Sequence, residues 1–463
     1  MCCVAALTVG GCATYEPRPI SAPATVAAYE ARTLDNPELR AFVQRNVARD
    51  LGTWPPPQWD LELLTLAAFY YHPDLDVARA KWGVARAGEL TAGMRPNPSI
   101  NASVQRSANA PGGVSPWTLG LNLDVPIETA GKRGYRIEQA QSLSEAARVA
   151  IVSTAWQVKS RVRVTWLDLN IARTSHDVLL GQQRLQQTNV TLLEHRLAAG
   201  MASTPEVTLA RLALTQSTLA LTDAERLEAD ARARLAGALG LSSSALNKVA
   251  IAPDPLSWAP ALPTDELREQ ALLNRADVLG SLAEYAASQS ALQLEIARQY
   301  PDAHLGPGYT WDQGQRKWSV GLSLALPVLN QNEGPVAEAR ARRVQAAANF
   351  NATQARAISE IEVALAAYRA SREKLIAVEA LLAEQNNQLR KAETTFKAGE
   401  TDRVALVGAQ LVLSQIALSR VDAQAKTQQA RGALEDAMQR PLGAPNLPAT
   451  ALQDNPRPTK EEQ

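Results

Sequence analysis

The chain has 463 residues, 46% of them hydrophobic but only 5% aromatic, and 47 basic side chains balance 47 acidic ones. Neutrality excludes the basic footprint of a nucleic-acid binder, and so few aromatics argue against one thick globular core. Alanine, leucine, arginine, glutamate and glutamine dominate outside a few short stretches, which favours many slender helices.

Residues 1–12 form an apolar run that ends in small residues before a cysteine, the tail of an export signal. Val9-Gly-Gly-Cys12 resembles the bacterial lipoprotein signal, which implies cleavage before Cys12, lipidation of its thiol, and a mature chain without free thiols or disulfides. Ala13, in place of aspartate, is compatible with sorting to the outer membrane. Residues 13–57 hold Pro17, Pro19, Pro23 and Trp54-Pro-Pro-Pro57 and read as an extended segment with a short helix around 37–50. A first repeat is expected over 58–240. It opens with a helix from about Asp60 to Met94, broken near His72-Pro73.

Two stretches then alternate with period two, the signature of a strand with one oily and one wet face. In the first, Trp117, Leu119, Leu121, Leu123 and Val125 point one way, and Thr118, Gly120, Asn122 and Asp124 the other. In the second, Trp318, Val320, Leu322, Leu324 and Leu326 alternate with Ser319, Gly321, Ser323 and Ala325. Each has an upstream partner, Ser99 to Ser107 and Asp302 to Asp312, so hairpins are expected over 99–125 and 302–326. At about nine residues, these strands suit a tilted membrane-spanning strand. Trp117, Trp311 and Trp318 sit at strand ends, where an interfacial girdle would lie. No internal run approaches the ~18 apolar residues of a membrane helix, so a membrane would be crossed by strands.

From Lys132 to Ala199 there is no proline and apolar residues recur at three and four. This predicts one amphipathic helix on the order of 100 Å long, stopped by Gly200. Ser203-Thr204-Pro205-Glu206 supplies a hydroxyl cap, a first-turn proline and the capping-box glutamate of a returning helix, so a helical hairpin spans 132–239. A Ser- and Pro-rich crossover covers 241–263. A second repeat over 264–440 follows the same plan: a helix from Asp265 to Arg298, the hairpin 302–326, and a helical hairpin 335–439 turning at Gly399. Pro98 and Pro301, Pro126 and Pro327, and Gly200 and Gly399 align at offsets of 199–203 residues, which indicates duplication. The tail 441–463 reads as disordered.

Four membrane strands cannot close a barrel, and open edges in lipid leave backbone groups unsatisfied at several kcal/mol each. Eight strands give an interior that side chains fill. Three copies give twelve strands and a closed ring, with the helical hairpins continuing its wall as a tube. The fold class expected is therefore mainly α with a membrane β-barrel contribution: two tandem repeats, each a β-hairpin plus a long antiparallel helical hairpin, in a trimeric 12-stranded barrel continued by an α-helical tunnel.

Lipobox, element order, duplication and the Ala-Gly turn followed by Leu and Gln at fixed spacing together resemble the TolC-type outer membrane factors, over about residues 60–440. His72-Pro-Asp-Leu75, Arg95-Pro-Asn-Pro98, Gly131-Lys-Arg133 and 326–334 look most like the cobalt–zinc–cadmium efflux branch. The resemblance implies a homotrimeric, passive exit duct in the outer membrane of a Gram-negative bacterium, lipid-anchored and reaching into the periplasm. It implies docking by the helical tips to a periplasmic adaptor and a proton-driven pump of the resistance-nodulation-division type, with heavy-metal cations as cargo. A multidrug duct of the same fold is an alternative. A periplasmic adaptor or coiled-coil envelope lipoprotein is a second, but neither accounts for two hairpins of membrane length.

At the tips lie Gly200, Ser203, Thr204 and Glu206, and Gly399, Thr401, Asp402 and Arg403. All fit helix caps; the resemblance adds adaptor contact and gating. The acidic constriction of some relatives maps to Ala405 and Gly408, so that gate is absent as such, and Glu206, with Asp402, is the expected charged ring. Asn122, Asp124, His304 and Thr310 are expected to face a lumen, where Asp124 would favour cations. His72, His176, His195 and His304 are scattered, with no metal-ligand spacing. No nucleophile elbow, phosphate loop or cofactor motif is present, and no enzyme activity is expected.

Overall fold

The computed structural model describes residues 13–442 apart from 48, 248 and 254–264. The expected lipobox with Cys12, the tail from 443 and much of the 241–263 crossover lie outside the described residues. The elements run α1 (Ala22–Glu30), α2 (Pro37–Asn46), α3 (Leu61–Tyr71), α4 (Pro73–Gly93), β1 (Ser99–Arg106), β2 (Trp117–Ile127), α5 (Lys132–Ala198) and α6 (Thr204–Leu239). They continue with α7 (Ser243–Leu246), α8 (Asp265–Asn274), α9 (Ala276–Ala297), β3 (Ala303–Asp312), β4 (Gln315–Leu324), α10 (Glu333–Lys397) and α11 (Arg403–Met438). The protein is thus mainly helical with one small sheet.

The caps explain the helix limits. Ser203 Oγ accepts from the Glu206 amide while the Glu206 carboxylate accepts from the Ser203 amide, a complete capping box at the start of α6. Gly240 ends α6 in the left-handed region at φ 74°. A side chain there would also stand 2.8 Å from the Tyr71 carbonyl oxygen, so only glycine fits. Pro73 breaks the α3–α4 run.

Three expectations need correction. Residues 13–57 are not extended with one helix: α1 precedes α2, because Pro23 stands in the first turn of α1, a position helices accept. α2 ends at Asn46. The helix expected over Asp265–Arg298 is two, divided at Arg275 by its side chain's tertiary contacts and not by a breaker residue. Its guanidinium donates to the Ala437 carbonyl (2.6 Å), Glu360 (2.8 Å) and Asp277 (2.7 Å). Finally, α11 does contain a stretch long and apolar enough, by composition, to cross a membrane, mostly unburied within one chain. It lies along α5 and α10 as part of the helical wall.

The main core gathers where α3 meets α2, α5 and α6, around Leu64, Phe69, Tyr70, Val158, Val162, Leu235 and Leu239. A smaller core, with Ile361, Leu365, Tyr368, Leu434 and Met438, joins α8, α10 and α11. The N-terminal segment straps the first core: Tyr29 Oη donates to the Leu241 carbonyl (2.8 Å), and Arg32 to the carbonyls of Tyr71 (3.0 Å) and Gly240 (2.9 Å).

The four strands form a single antiparallel sheet in the order β1-β2-β3-β4. The two hairpins join through β2 and β3, with Leu119 opposite Trp311 and Asn122 opposite Gly308. β1 and β4 are left as edges.

Candidate functional site

Register sorts the sheet into two faces. One carries Ile100, Val104, Leu119, Leu121, Leu305, Val320 and Leu322, all exposed, an apolar surface that none of the described residues covers. Trp117, Trp311 and Trp318 sit on this face near the β1–β2 and β3–β4 turns. Trp318 is 82% exposed and its ring lies 4.8 Å from that of Tyr309. Arg106 stacks over Trp117 and Arg316 pairs with Trp311 across the strands. An oily band ending in indole and guanidinium groups is the pattern of a lipid-facing wall.

The other face is polar. Asn101 opposes Asn122, and Ser103 opposes Gly120. Thr118 Oγ1 donates to Asp312 (2.7 Å), which also accepts from Lys317 Nζ (2.6 Å). Thr310 lies between Gly120 and Lys317. Nearer the helices, His304 Nδ1 stands 3.1 Å from both Asp124 carboxylate oxygens. Asn122, Asp124, His304 and Thr310 thus share one face and line an open trough of about 800 Å³. A side chain at Gly308 would meet Ser319 Oγ at 2.8 Å and Asn122 Oδ1 at 3.0 Å, so glycine keeps this floor low.

Below the sheet, Lys132 is buried and locks its base. Its Nζ donates to the Tyr300 carbonyl and to Asp302, both at 2.7 Å, and Asp302 also accepts from the Thr129 amide at 2.9 Å. Partial burial works to raise the Asp302 pKa, but these donors hold it below the usual carboxylate range. Arg133 Nε reaches the Gly93 carbonyl at 2.7 Å. The Gly131-Lys-Arg133 motif is therefore a joint between sheet and helices.

At the far end, Gly200 (φ 72°) and Gly399 (φ 76°) terminate the two long helices. Ser203 caps α6, with Thr204 and Pro205 in its first turn. Asp402 caps α11, accepting from the Ala405 amide at 2.9 Å, with the exposed Arg403 as its first residue. Thr401 Oγ1 lies 3.3 Å from Thr395 Oγ1. The turns meet: Arg196, at the end of α5, pairs directly with Asp402. Glu206 is fully exposed, yet its carboxylate folds back onto the Ser203 amide (2.7 Å) and hydroxyl (2.8 Å). Those bonds lower its pKa, the backbone one foremost. Both acids expected for a charged ring are thus engaged as caps, and Asp402 is also ion-paired.

Sequence reasoning missed the Arg196–Asp402 tie and the Lys132 lock, because each joins residues more than 160 positions apart. It also missed a buried ionic seam between α5 and α11. There Arg163 donates to the Gly432 carbonyl (2.8 Å), to Glu435 (3.4 Å) and to Asp436. Among the described residues, no three His, Cys, Asp or Glu side chains gather as a metal-holding group.

A sheet oily on one side and wet on the other, edged by two open strands and joined to helical hairpins on the order of 100 Å long, is the build of a channel protein of the outer-membrane type. The chain belongs to the outer membrane efflux protein family, which matches residues 68–241 and 267–439. Such proteins are passive channels, not enzymes. The chain is 25% identical over 362 residues to the cobalt-zinc-cadmium resistance protein CzcC of Cupriavidus metallidurans, covering 77% of this chain and 84% of that protein. It is 25% identical over 284 residues to the nickel-cobalt-cadmium resistance protein NccC of Alcaligenes xylosoxydans xylosoxydans, covering 59% and 62%. Among solved structures, CusC aligns with a TM-score of 0.68 at 19% identity, over 84% of this chain and 95% of that one. VceC from Vibrio cholerae aligns at 0.67 and 20% identity, over 82% and 96%. These structural likenesses establish the fold.

Proposed function

We propose that three copies of this chain close a 12-stranded barrel through the outer membrane and continue it into the periplasm as a helical tunnel, forming the exit duct of a tripartite heavy-metal efflux system. The observation that carries the reading is the two-faced, four-stranded sheet with open edges at β1 and β4. In lipid those edges demand strands from sister copies, and the mostly unburied apolar stretch of α11 gives the helices a matching surface to cover. The Asn122, Asp124, His304 and Thr310 face then lines the lumen, while Trp117, Trp311 and Trp318 anchor at the interface. The tandem halves descend from one duplicated unit, and Cys12 adds a lipid anchor.

The tips, with Gly200, Ser203, Thr204, Glu206, Gly399, Thr401, Asp402 and Arg403, meet a periplasmic adaptor, behind which an inner-membrane pump of the resistance-nodulation-division type supplies energy. Divalent cobalt, zinc, cadmium or nickel is the cargo, on the strength of the two resistance-protein relatives. Cysteines placed on β1 and β4 test the assembly. Oxidation should cross-link them between chains, never within one, with trimers as the largest product and ion-conducting pores in planar bilayers. A monomer that cross-links internally, or makes no pores, refutes the assembly. Loss of cobalt or zinc resistance on deleting the gene tests the cargo.

A further inference from the structure

The polar face holds a histidine and a carboxylate set against each other with nothing between them. Asp124 projects from β2 and His304 from β3, and both carboxylate oxygens lie 3.1 Å from the imidazole Nδ1. Both side chains are half-buried yet open to the trough, at 34% exposure for Asp124 and 43% for His304. Gly306 and Gly321 leave the surrounding floor without side chains, and the open trough has room for a hydrated ion. The remaining charges on this face are otherwise committed. Asp312 is held by Lys317 and Thr118 at the other end of the strands, and Asp302, below, by Lys132 and Thr129.

We propose that the Asp124–His304 pair is a transient binding point for a divalent transition-metal cation, present once per chain. The inference rests on the channel reading above, in which this face lines the lumen. The separation has the bite such an ion needs. Bonds of about 2.0–2.2 Å to imidazole nitrogen and carboxylate oxygen, at angles between octahedral and tetrahedral, place those atoms about 2.9–3.4 Å apart. The ion takes the Nδ1 lone pair of the neutral imidazole, whose one ring proton is then carried on Nε2, and water completes the coordination.

The donor set also selects. Imidazole with carboxylate suits cobalt, nickel, zinc or cadmium in the divalent state; magnesium prefers oxygen alone, and monovalent copper or silver prefers sulfur. β1 to β4 contain no cysteine or methionine. Two protein ligands hold an ion loosely, as a conduit requires, since a site must release what it attracts. The pair also sits at the helix-side end of the strands, close to the Lys132–Asp302 lock, where an ion rising through the helical part would first meet the sheet.

Full-length protein in detergent, with its histidines isotopically labelled, gives a direct test by nuclear magnetic resonance. His304→Gln identifies the His304 signal. Cobalt(II) in the submillimolar to millimolar range should shift and broaden that signal, and magnesium at equal ionic strength should not. Asp124→Asn should raise the cobalt concentration needed at least tenfold. A His304 signal that responds to cobalt no more than to magnesium, or equally in Asp124→Asn, overturns the proposal. The wild-type comparison decides even if a variant folds poorly. Oligomeric state and bilayer conductance of the same sample report on the duct separately. Trimeric pores with an indifferent His304 refute the site alone, whereas a responsive His304 in a protein that never forms pores refutes the duct alone.

Discussion

Replacing Arg163 by methionine should loosen the seam between α5 and α11 by about 3 kcal/mol, the lower end of what breaking a buried ion pair costs. The Arg163 side chain is 10% exposed and the Glu435 side chain 4%, so water does not replace the partner Glu435 loses, whereas Asp436, at 30%, keeps some access to it. Glu435 would keep Arg431 at 3.1 Å and the Leu442 amide at 3.1 Å, which holds the cost to the lower end. Asp436 would keep its hydrogen bond from Ser160. Hydrogen exchange of detergent-solubilised protein reads the effect locally: amides near 160–167 and 430–437 should lose about 100-fold in protection. The deficit should depend on pH. Burial raises the Asp436 pKa against the pull of Arg163. A carboxyl whose folded pKa is raised binds its proton more tightly when folded, so its contribution to stability falls as pH rises through that range. Without Arg163 the rise is greater, so the Arg163→Met penalty should be full at pH 8 and shrink toward pH 5. Asp436→Asn in the same chain should recover part of it at pH 8. A deficit below about 1 kcal/mol at pH 8, or one that grows on acidification, refutes the reasoning.

His72 is buried and its pKa is lowered, by burial first and by the charge of Arg161 as well. A base with a depressed folded pKa costs stability as pH falls below its unfolded value of about 6.5, by up to ~1.4 kcal/mol per unit; melting temperatures from pH 7.5 to 5.5 should drop further for wild type than for His72→Gln. On the sheet, Val320→Arg should deplete trimers from outer-membrane fractions, because a midplane charge on a lipid face costs about 2–4 kcal/mol. Ser319→Arg, one residue away on the polar face, should leave trimers abundant. Gly240→Ala should cost more than the ~1–2 kcal/mol of a left-handed alanine, since its Cβ would meet the Tyr71 backbone. Gly200→Ala has open space around it and should cost no more than that range, as denaturant midpoints would show.

What could be read from the sequence was whatever local chemistry decides. Alternation placed Trp117 to Val125 and Trp318 to Leu326 in strands; β2 covers the first stretch, and β4 covers the second but ends at Leu324, two residues short. Gly200 and the Ser203–Glu206 box marked the turn between α5 and α6 to within two residues. Contacts set by distant partners escaped. The division between α8 and α9 has no proline or glycine, only a guanidinium reaching across to α10 and α11. Proline misled in the opposite sense at α1, where Pro23 opens a helix. Asp124 and His304 were both assigned to the wet face, but their contact depends on β2 pairing with β3, a register that no single hairpin encodes. The apolar stretch of α11 escaped a search for unbroken apolar runs because Gln410, Ser414 and Gln415 interrupt it.

The two interrupted helices show how halves built on one element order can be held by different forces. His72 ends α3 and faces Arg161 at 3.0 Å; Arg275, offset by 203 residues, ends the α8 stretch and faces Glu360, offset from Arg161 by 199. The first joint sits on a core of fully buried rings and leucines, among them Phe69, Tyr70 and Leu64. Each such side chain contributes about 1.5–3 kcal/mol, and this burial is indifferent to the charge of the imidazole beside it. The second joint has a smaller core and a guanidinium whose carboxylate partners, Asp277 and Glu360, remain 33% and 44% exposed. The guanidinium itself is only 5% exposed, so breaking these contacts leaves a buried charge unpaired, at a cost of about 3–5 kcal/mol. The same break in the chain is thus fixed mainly by apolar burial in one half and by a buried guanidinium tied to two carboxylates in the other.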